Sequence, residues 1–190
     1  MDNPIKKKRR KPIIIGLILV FLFVAGTVLA FLAVYITRKH ISETKRYNEQ
    51  YKSADNAVML HISAVMDGAS SDGLSYVAKN RNTALKEIKQ SREAVDYFAN
   101  IHTPRSLSSA IGLVRDAADS ERTYLNAAEK LFRAETESQL EDGISAVKQS
   151  DIVKSSSNGF ANAVAGFMKR LEQLESSKDK DEDDPVFIWL

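Results

Sequence analysis

The sequence predicts an all-α protein: an N-terminal transmembrane helix followed by an up-down four-helix bundle. Three observations carry this. The stretch from Ile13 to Ile36, "IIIGLILVFLFVAGTVLAFLAVYI", holds no charged residue. From Arg38 onward, apolar residues recur every three or four positions and show none of the two-residue alternation of a strand. The breaks between these periodic stretches are short and polar, as in "DGASSDG" and "NIHTP", so consecutive helices are expected to lie side by side and antiparallel. Four regions follow: a basic N-terminus over 1–12, a membrane span over 13–37, a helical bundle over 38–176, and an acidic tail with an apolar end over 177–190.

The first region sets the expected topology. Of the 27 Lys/Arg in the chain, six fall in residues 1–12 beside a single acid, leaving 21 basic and 24 acidic residues for the rest. The net charge of +2 therefore hides a basic head on a slightly acidic body. Lys6, Lys7, Lys8, Arg9, Arg10 and Lys11 abut the apolar run, and positive charge is retained on the cytoplasmic side of a span. The expected arrangement is a single span in the cell membrane, N-terminus inside and body outside. Arg38, Lys39, Lys45 and Arg46 on the far flank weaken the asymmetry. A nuclear-import reading of "IKKKRRKP" fits less well than a topology signal, because the cluster lies directly against the apolar segment.

The second region is long enough to cross a bilayer, which takes about 20 apolar residues. Val28-Leu29-Ala30 would suit a signal peptidase, but the apolar run is longer than a signal peptide's core of about 7–15 residues. Gly26 and Ala30 form a small-xxx-small pair, through which two copies could approach as a homodimer.

The third region reads as helices in sequence. Tyr47, Tyr51, Ala54, Val58, Ile62 and Val65 mark one face of a helix that continues from the span. Leu74, Val77, Leu85, Ile88, Val95 and Phe98 mark the second. Leu107, Ile111, Val114, Ala118, Leu125, Ala128 and Phe132 mark the third, with Thr103 as expected cap and Pro104 at the expected first position. "TESQLEDGISAVKQS" reads as one or two helical turns. A last helix is expected from Ser150 or Asp151, with Ile152, Ser156, Phe160, Val164, Phe167, Leu171 and Leu174 as its stripe, and with Gly159 and Gly166 as candidate close contacts. In architecture alone, the layout resembles the membrane-tethered four-helix sensor modules of bacterial receptors, although no second span follows the bundle as it does in those receptors.

Chemistry is sparse. The absence of cysteine excludes disulfides, thiolate metal sites and a cysteine nucleophile. His40, His61 and His102 stand at no metal-ligand spacing. Phosphate loops, nucleophile elbows and dinucleotide fingerprints have no counterpart. Basic residues in the body are interleaved with acids, which gives solvated helix faces and no nucleic-acid stripe. No enzymatic activity, cofactor or metal is expected. Two charged residues, Arg92 and Glu121, fall at or near apolar stripe positions, as an inter-helix polar site or as side chains that reach water from the stripe edge.

The tail raises the last candidate. After "ESSKDKDEDD" comes "PVFIWL", with the only tryptophan of the chain. Val186, Phe187, Ile188, Trp189 and Leu190 are too few to span a bilayer. They suit a linear motif that adds to a partner's sheet edge, a segment that folds back on its own bundle, or an aromatic end that dips into the membrane interface. The functional expectation is a membrane-anchored, protein-binding or scaffolding component of the cell envelope. The contrasting one is a small-molecule sensor or carrier with ligand held between the helices.

Overall fold

The computed structural model describes the backbone of residues 10–68, 70–154 and 159–177; side chains at 10–15, 70–71, 153–154 and 177 fall outside the description. Five α-helices and one 3-10 turn make up these residues: α1 (Arg10–Met66), α2 (Ser70–Asn100), the turn Arg105–Leu107, α3 (Ser108–Phe132), α4 (Glu137–Lys154) and α5 (Phe160–Ser177). No strand occurs among them. The fold is all-α, as expected.

α1 is a single helix of 57 residues, about 85 Å long at ~1.5 Å per residue. It does not stop at the end of the apolar run because nothing there stops a helix: no glycine lies between Thr27 and Asp67, and no proline after Pro12 enters it. Its first half is long and apolar enough to cross a membrane, and none of that window is covered by the rest of the chain. Phe21, Phe23, Phe31 and Tyr35 are all exposed there. From Thr37 the pattern changes to one buried face, through Thr44, Tyr51, Ala54, Val58, Ile62 and Val65.

α2 returns antiparallel along α1, as Gln50 donating to the Gln90 carbonyl (2.9 Å) and Thr44 beside Tyr97 show. It ends before Pro104, where the preceding residue is forced out of helical geometry. Here the expected start of the third helix is corrected. Pro104 precedes the 3-10 turn, α3 begins at Ser108 behind Leu107, and neither start carries a side-chain cap, so Thr103 does not cap it.

A second correction concerns residues 137–154. They form a full 18-residue helix, α4, and the last helix starts at Phe160, not near Ser150. Ile152 belongs to α4 and is 76% exposed, so it is no part of a buried stripe. α4 was hard to read because its inward face is Leu140, Gly143, Val147 and Ser150. Half of that face lacks an apolar side chain.

α4 and α5 together form the fourth, descending limb of an up-down-up-down bundle. Gly143 of α4 lies against Leu131 near the C-terminal end of α3. Phe160 and Phe167 of α5 meet Phe98 of α2, edge to face, with centroids 6.3 and 6.1 Å away. Tyr51 of α1 meets Phe160 at 5.0 Å, and Lys45 of α1 pairs with Glu175 of α5 at 2.9 Å. The bundle thus has a base at the end of the apolar segment, where Thr44, Tyr97 and Glu175 lie, and a far end at Val65, Gly73 and Leu140.

Candidate functional site

Arg92 lies on α2 where α3 passes it. Its guanidinium donates to Glu129 Oε2 at 2.6 Å and to Asn126 Oδ1 at 2.9 Å. Arg133, one turn beyond Glu129, donates to the other carboxylate oxygen at 2.8 Å. The Arg92 hydrogen bond, followed by that from Arg133, holds the Glu129 carboxyl below its ordinary range, against the opposing effect of burial. These groups belong to a ladder along the α2–α3 seam. Arg81 donates to the Ala134 carbonyl (2.8 Å), Arg122 pairs with Asp96 (2.8 Å), and Arg115 donates to the carbonyls of Ala99 (3.1 Å) and Ile101 (2.7 Å). The Asp96 hydrogen bond raises the Arg122 guanidinium further into its charged form. An open groove of about 660 Å³ runs beside Arg92, lined by Asn82, Lys86, Glu93, Glu129 and Arg133 among others.

Glu121 is placed differently. It is 1% exposed, on the inward face of α3. The groove beside Arg92 does not include it, and Glu129, the partner of Arg92, lies two turns further along the helix, about 12 Å at ~1.5 Å per residue. The expectation that Glu121 reaches water from the stripe edge is therefore corrected: its carboxylate is in the core. Around it stand Tyr51 and Asp55 of α1 and Tyr124 of α3, all buried. Burial first, then the charges of Glu121 and Asp55, keep the Tyr51 hydroxyl neutral far above its ordinary range. Burial, then Asp55, Asp151 and Glu121, act on Tyr124 in the same direction. The cluster brings carboxyl and phenol groups of α1 and α3 into one buried layer.

Of the three histidines, His61 packs against neighbouring helices. His61 shares a 2.8 Å hydrogen bond between Nδ1 and the Tyr76 hydroxyl and lies edge-on to Phe132. The His40 carbonyl accepts the Thr44 hydroxyl proton at 2.7 Å, which leaves Tyr97 as the donor to Thr44 at 2.9 Å. Burial raises the Tyr97 hydroxyl. Tyr97 also stacks on Tyr47 at 4.0 Å, and Arg46 covers Tyr47 at 4.8 Å. His102 is exposed in the α2–α3 connection. Among the described residues no group of three His, Asp or Glu side chains comes together to hold a metal ion.

The remaining sequence candidates fall as follows. Gly26 and Ala30 are exposed on α1, with open space around Gly26. Arg10 and Lys11 lie in the first turn of α1, while Lys6, Lys7, Lys8 and Arg9 are outside the described residues, as are Val186–Leu190. Sequence reasoning missed Glu129 and Tyr51 as the partners of the two anomalous charges. The Glu129–Arg133 spacing was the available signal for the first. Comparison of the chain with protein families, curated proteins and solved structures finds no match.

Proposed function

We propose that the chain is a single-pass membrane protein, N-terminus cytoplasmic, whose bundle stands outside the cell membrane as a protein-binding or scaffolding component of the envelope. One observation supports the reading above the others: α1 runs unbroken from an uncovered apolar segment into the bundle core. A rod of this kind holds a folded body at fixed height and attitude over a bilayer, which is the geometry of a presenter. The absence of an expected reaction centre in the sequence is consistent with it. Because α5 descends toward the base, residues 178–190 start near the membrane and reach at most about 45 Å at ~3.5 Å per residue. A partner that reads Val186–Leu190 is then a membrane-associated protein, which takes the segment up as an added strand.

The test has two arms. Protease added to intact cells should cut the body and spare the basic N-terminus; a protected body refutes the orientation. Cross-linking in membranes should capture a partner with the full chain and lose it without Pro185–Leu190; equal capture removes the tail from the proposal.

A further inference from the structure

The base of the bundle carries cations on the side of the apolar segment, with Glu43 of α1 and Glu175 of α5, which is paired with Lys45, as nearby acids. Residues 37–42 of α1 include Arg38 and Lys39 and no acid. Residues 101–115, from the α2–α3 connection into α3, include Arg105 and Arg115 and again no acid. The two stretches occupy the same end. Tyr97 is level with Thr44, so Ile101, one turn on, stands about 6 Å closer to the apolar segment at ~1.5 Å per residue, and Arg105 follows beyond it. Arg115 is committed to the carbonyls of Ala99 and Ile101, which pins the connection in place. Arg38, Lys39 and Arg105 are exposed, and among the described residues none of the three is in an ion pair. Basic side chains farther from the base contrast with them: Arg81, Arg92, Arg122 and Arg133 all have carboxylate partners.

We infer that this basal face, formed by Arg38, Lys39 and Arg105, docks on anionic lipid headgroups. The inference rests on the membrane-anchored reading. Its geometric basis is that α1 does not bend away: the span ends at Ile36, and the first cations beyond it are on the same rigid helix as the bundle. The α2–α3 connection is then held against the headgroup layer with a cation presented and no carboxylate near it in sequence. Tyr35, 67% exposed at the end of the apolar run, suits the same interfacial layer. Charge attraction to an anionic leaflet enriches such lipids by roughly fivefold per Lys or Arg at the surface, and salt screens it.

The experiment uses the full chain in lipid nanodiscs of phosphatidylcholine alone and of phosphatidylcholine mixed with phosphatidylglycerol. Lipids retained by the protein are counted by native mass spectrometry, and amide exchange is followed over residues 101–107. The expected result is several-fold enrichment of phosphatidylglycerol, slower exchange over 101–107 in the mixed discs, and loss of both effects in the Arg38→Gln/Lys39→Gln/Arg105→Gln variant. Enrichment that is absent, or unchanged in that variant, overturns the inference. Protection of 101–107 by inorganic phosphate in pure phosphatidylcholine discs assigns the face to soluble anions and also overturns it. Enrichment seen only after removal of Lys178–Leu190 makes the acidic tail the occupant of the face, with the same consequence. Failure of the chain to enter phosphatidylcholine discs at all refutes the anchored reading itself, a result separable from the others.

Discussion

Gly143→Ala and Gly166→Ala are the same chemical change at two helix-interior positions, and the structure predicts opposite signs. Glycine in a helix is worse than alanine by about 0.8–1 kcal/mol. At Gly166 an added Cβ meets nothing within 4 Å, so the whole gain is kept. That corrects the sequence expectation of a close helix contact there. In a chain of this size, melting should rise by about 2–4 °C per kcal/mol. At Gly143 the added Cβ would stand 2.7 Å from Leu131 Cα and 3.2 Å from its Cβ and Cδ1. The nearest neighbour is backbone and cannot swing aside. α4 must retreat by roughly 0.7 Å to restore ordinary contact, and a radial gap of about 0.5–1 Å forfeits a quarter to a half of each contact's dispersion energy. Leu140 and Val147, buried on the same face of α4, would feel that gap. Overpacking costs typically about 1–3 kcal/mol, so the net effect after the propensity gain of about 0.8–1 kcal/mol is a loss of up to about 2 kcal/mol. Thermal melting of the full chain in detergent, followed by circular dichroism at 222 nm, reads both variants. A Gly143→Ala protein that melts at or above the parent temperature would refute the close approach of α4 to α3.

Two further outcomes follow from the charged groups. The folded-state pKa of Glu129 lies below its ordinary 4.5, so its contribution to stability is present above about pH 4.5 and is lost as pH falls through the depressed value. Denaturant titrations across that acid window should show a loss that Arg92→Ala largely removes, at a cost of about 1 kcal/mol near neutrality; an unchanged acid limb in the variant would contradict the pairing. In the core, the raised Tyr51 pKa implies stability that is complete below pH 10 and is lost at higher pH, so Tyr51→Phe should lose part of the alkaline unfolding limb; a limb unchanged in the variant would contradict the buried hydroxyl.

The reading of the fold from sequence succeeded where side-chain volume repeats and failed where it is missing. Most of the stripes of α1, α2 and α3 are buried as their spacing implies, among them Val58, Ile88, Val95, Leu125 and Phe132, while Tyr47, Leu74 and Leu85 are half-buried at the edge. α4 escaped because a helix that packs through Gly143 and Ser150 leaves no apolar signal at those positions; the packing partner, Leu131, is remote in sequence. Thr103-Pro104 looked like a helix start because local cap chemistry is visible in a string, whereas the 3-10 turn that displaces it places Leu107 in the core. Among the site residues, the anomaly of Arg92 and Glu121 was legible but their partners were not. Two turns along α3 separate Glu129, which meets an arginine at the rim, from Glu121, enclosed beside tyrosines, and which face each presents depends on all the helices at once.

The same tertiary facts grade the buried face of α1 along the bundle axis. Toward the far end, the buried face of α1 is Val58, Ile62 and Val65, matched by Val77, Phe132 and Leu140. Toward the base it is Thr37, Thr44 and Asn48, with a groove of about 450 Å³ between α1 and α5 lined by Lys45, Asn48, Glu49, Lys169 and Glu172. The change from apolar to polar is confined to α1: at the same level α2, α3 and α5 bury Phe98, Ile101, Leu107, Ile111, Phe167 and Leu171, so apolar burial, the main favourable term in folding, runs the full length of the bundle. What distinguishes the base is how α1 is joined to it, through the Thr44–Tyr97 hydrogen bond, the Lys45–Glu175 pair and the Tyr47–Tyr97 stack. Ion pairs at an exposed rim respond to salt in a way that a valine core does not, so the seam between α1 and the rest of the bundle is salt-sensitive at the end next to the apolar segment and insensitive at Val58, Ile62 and Val65.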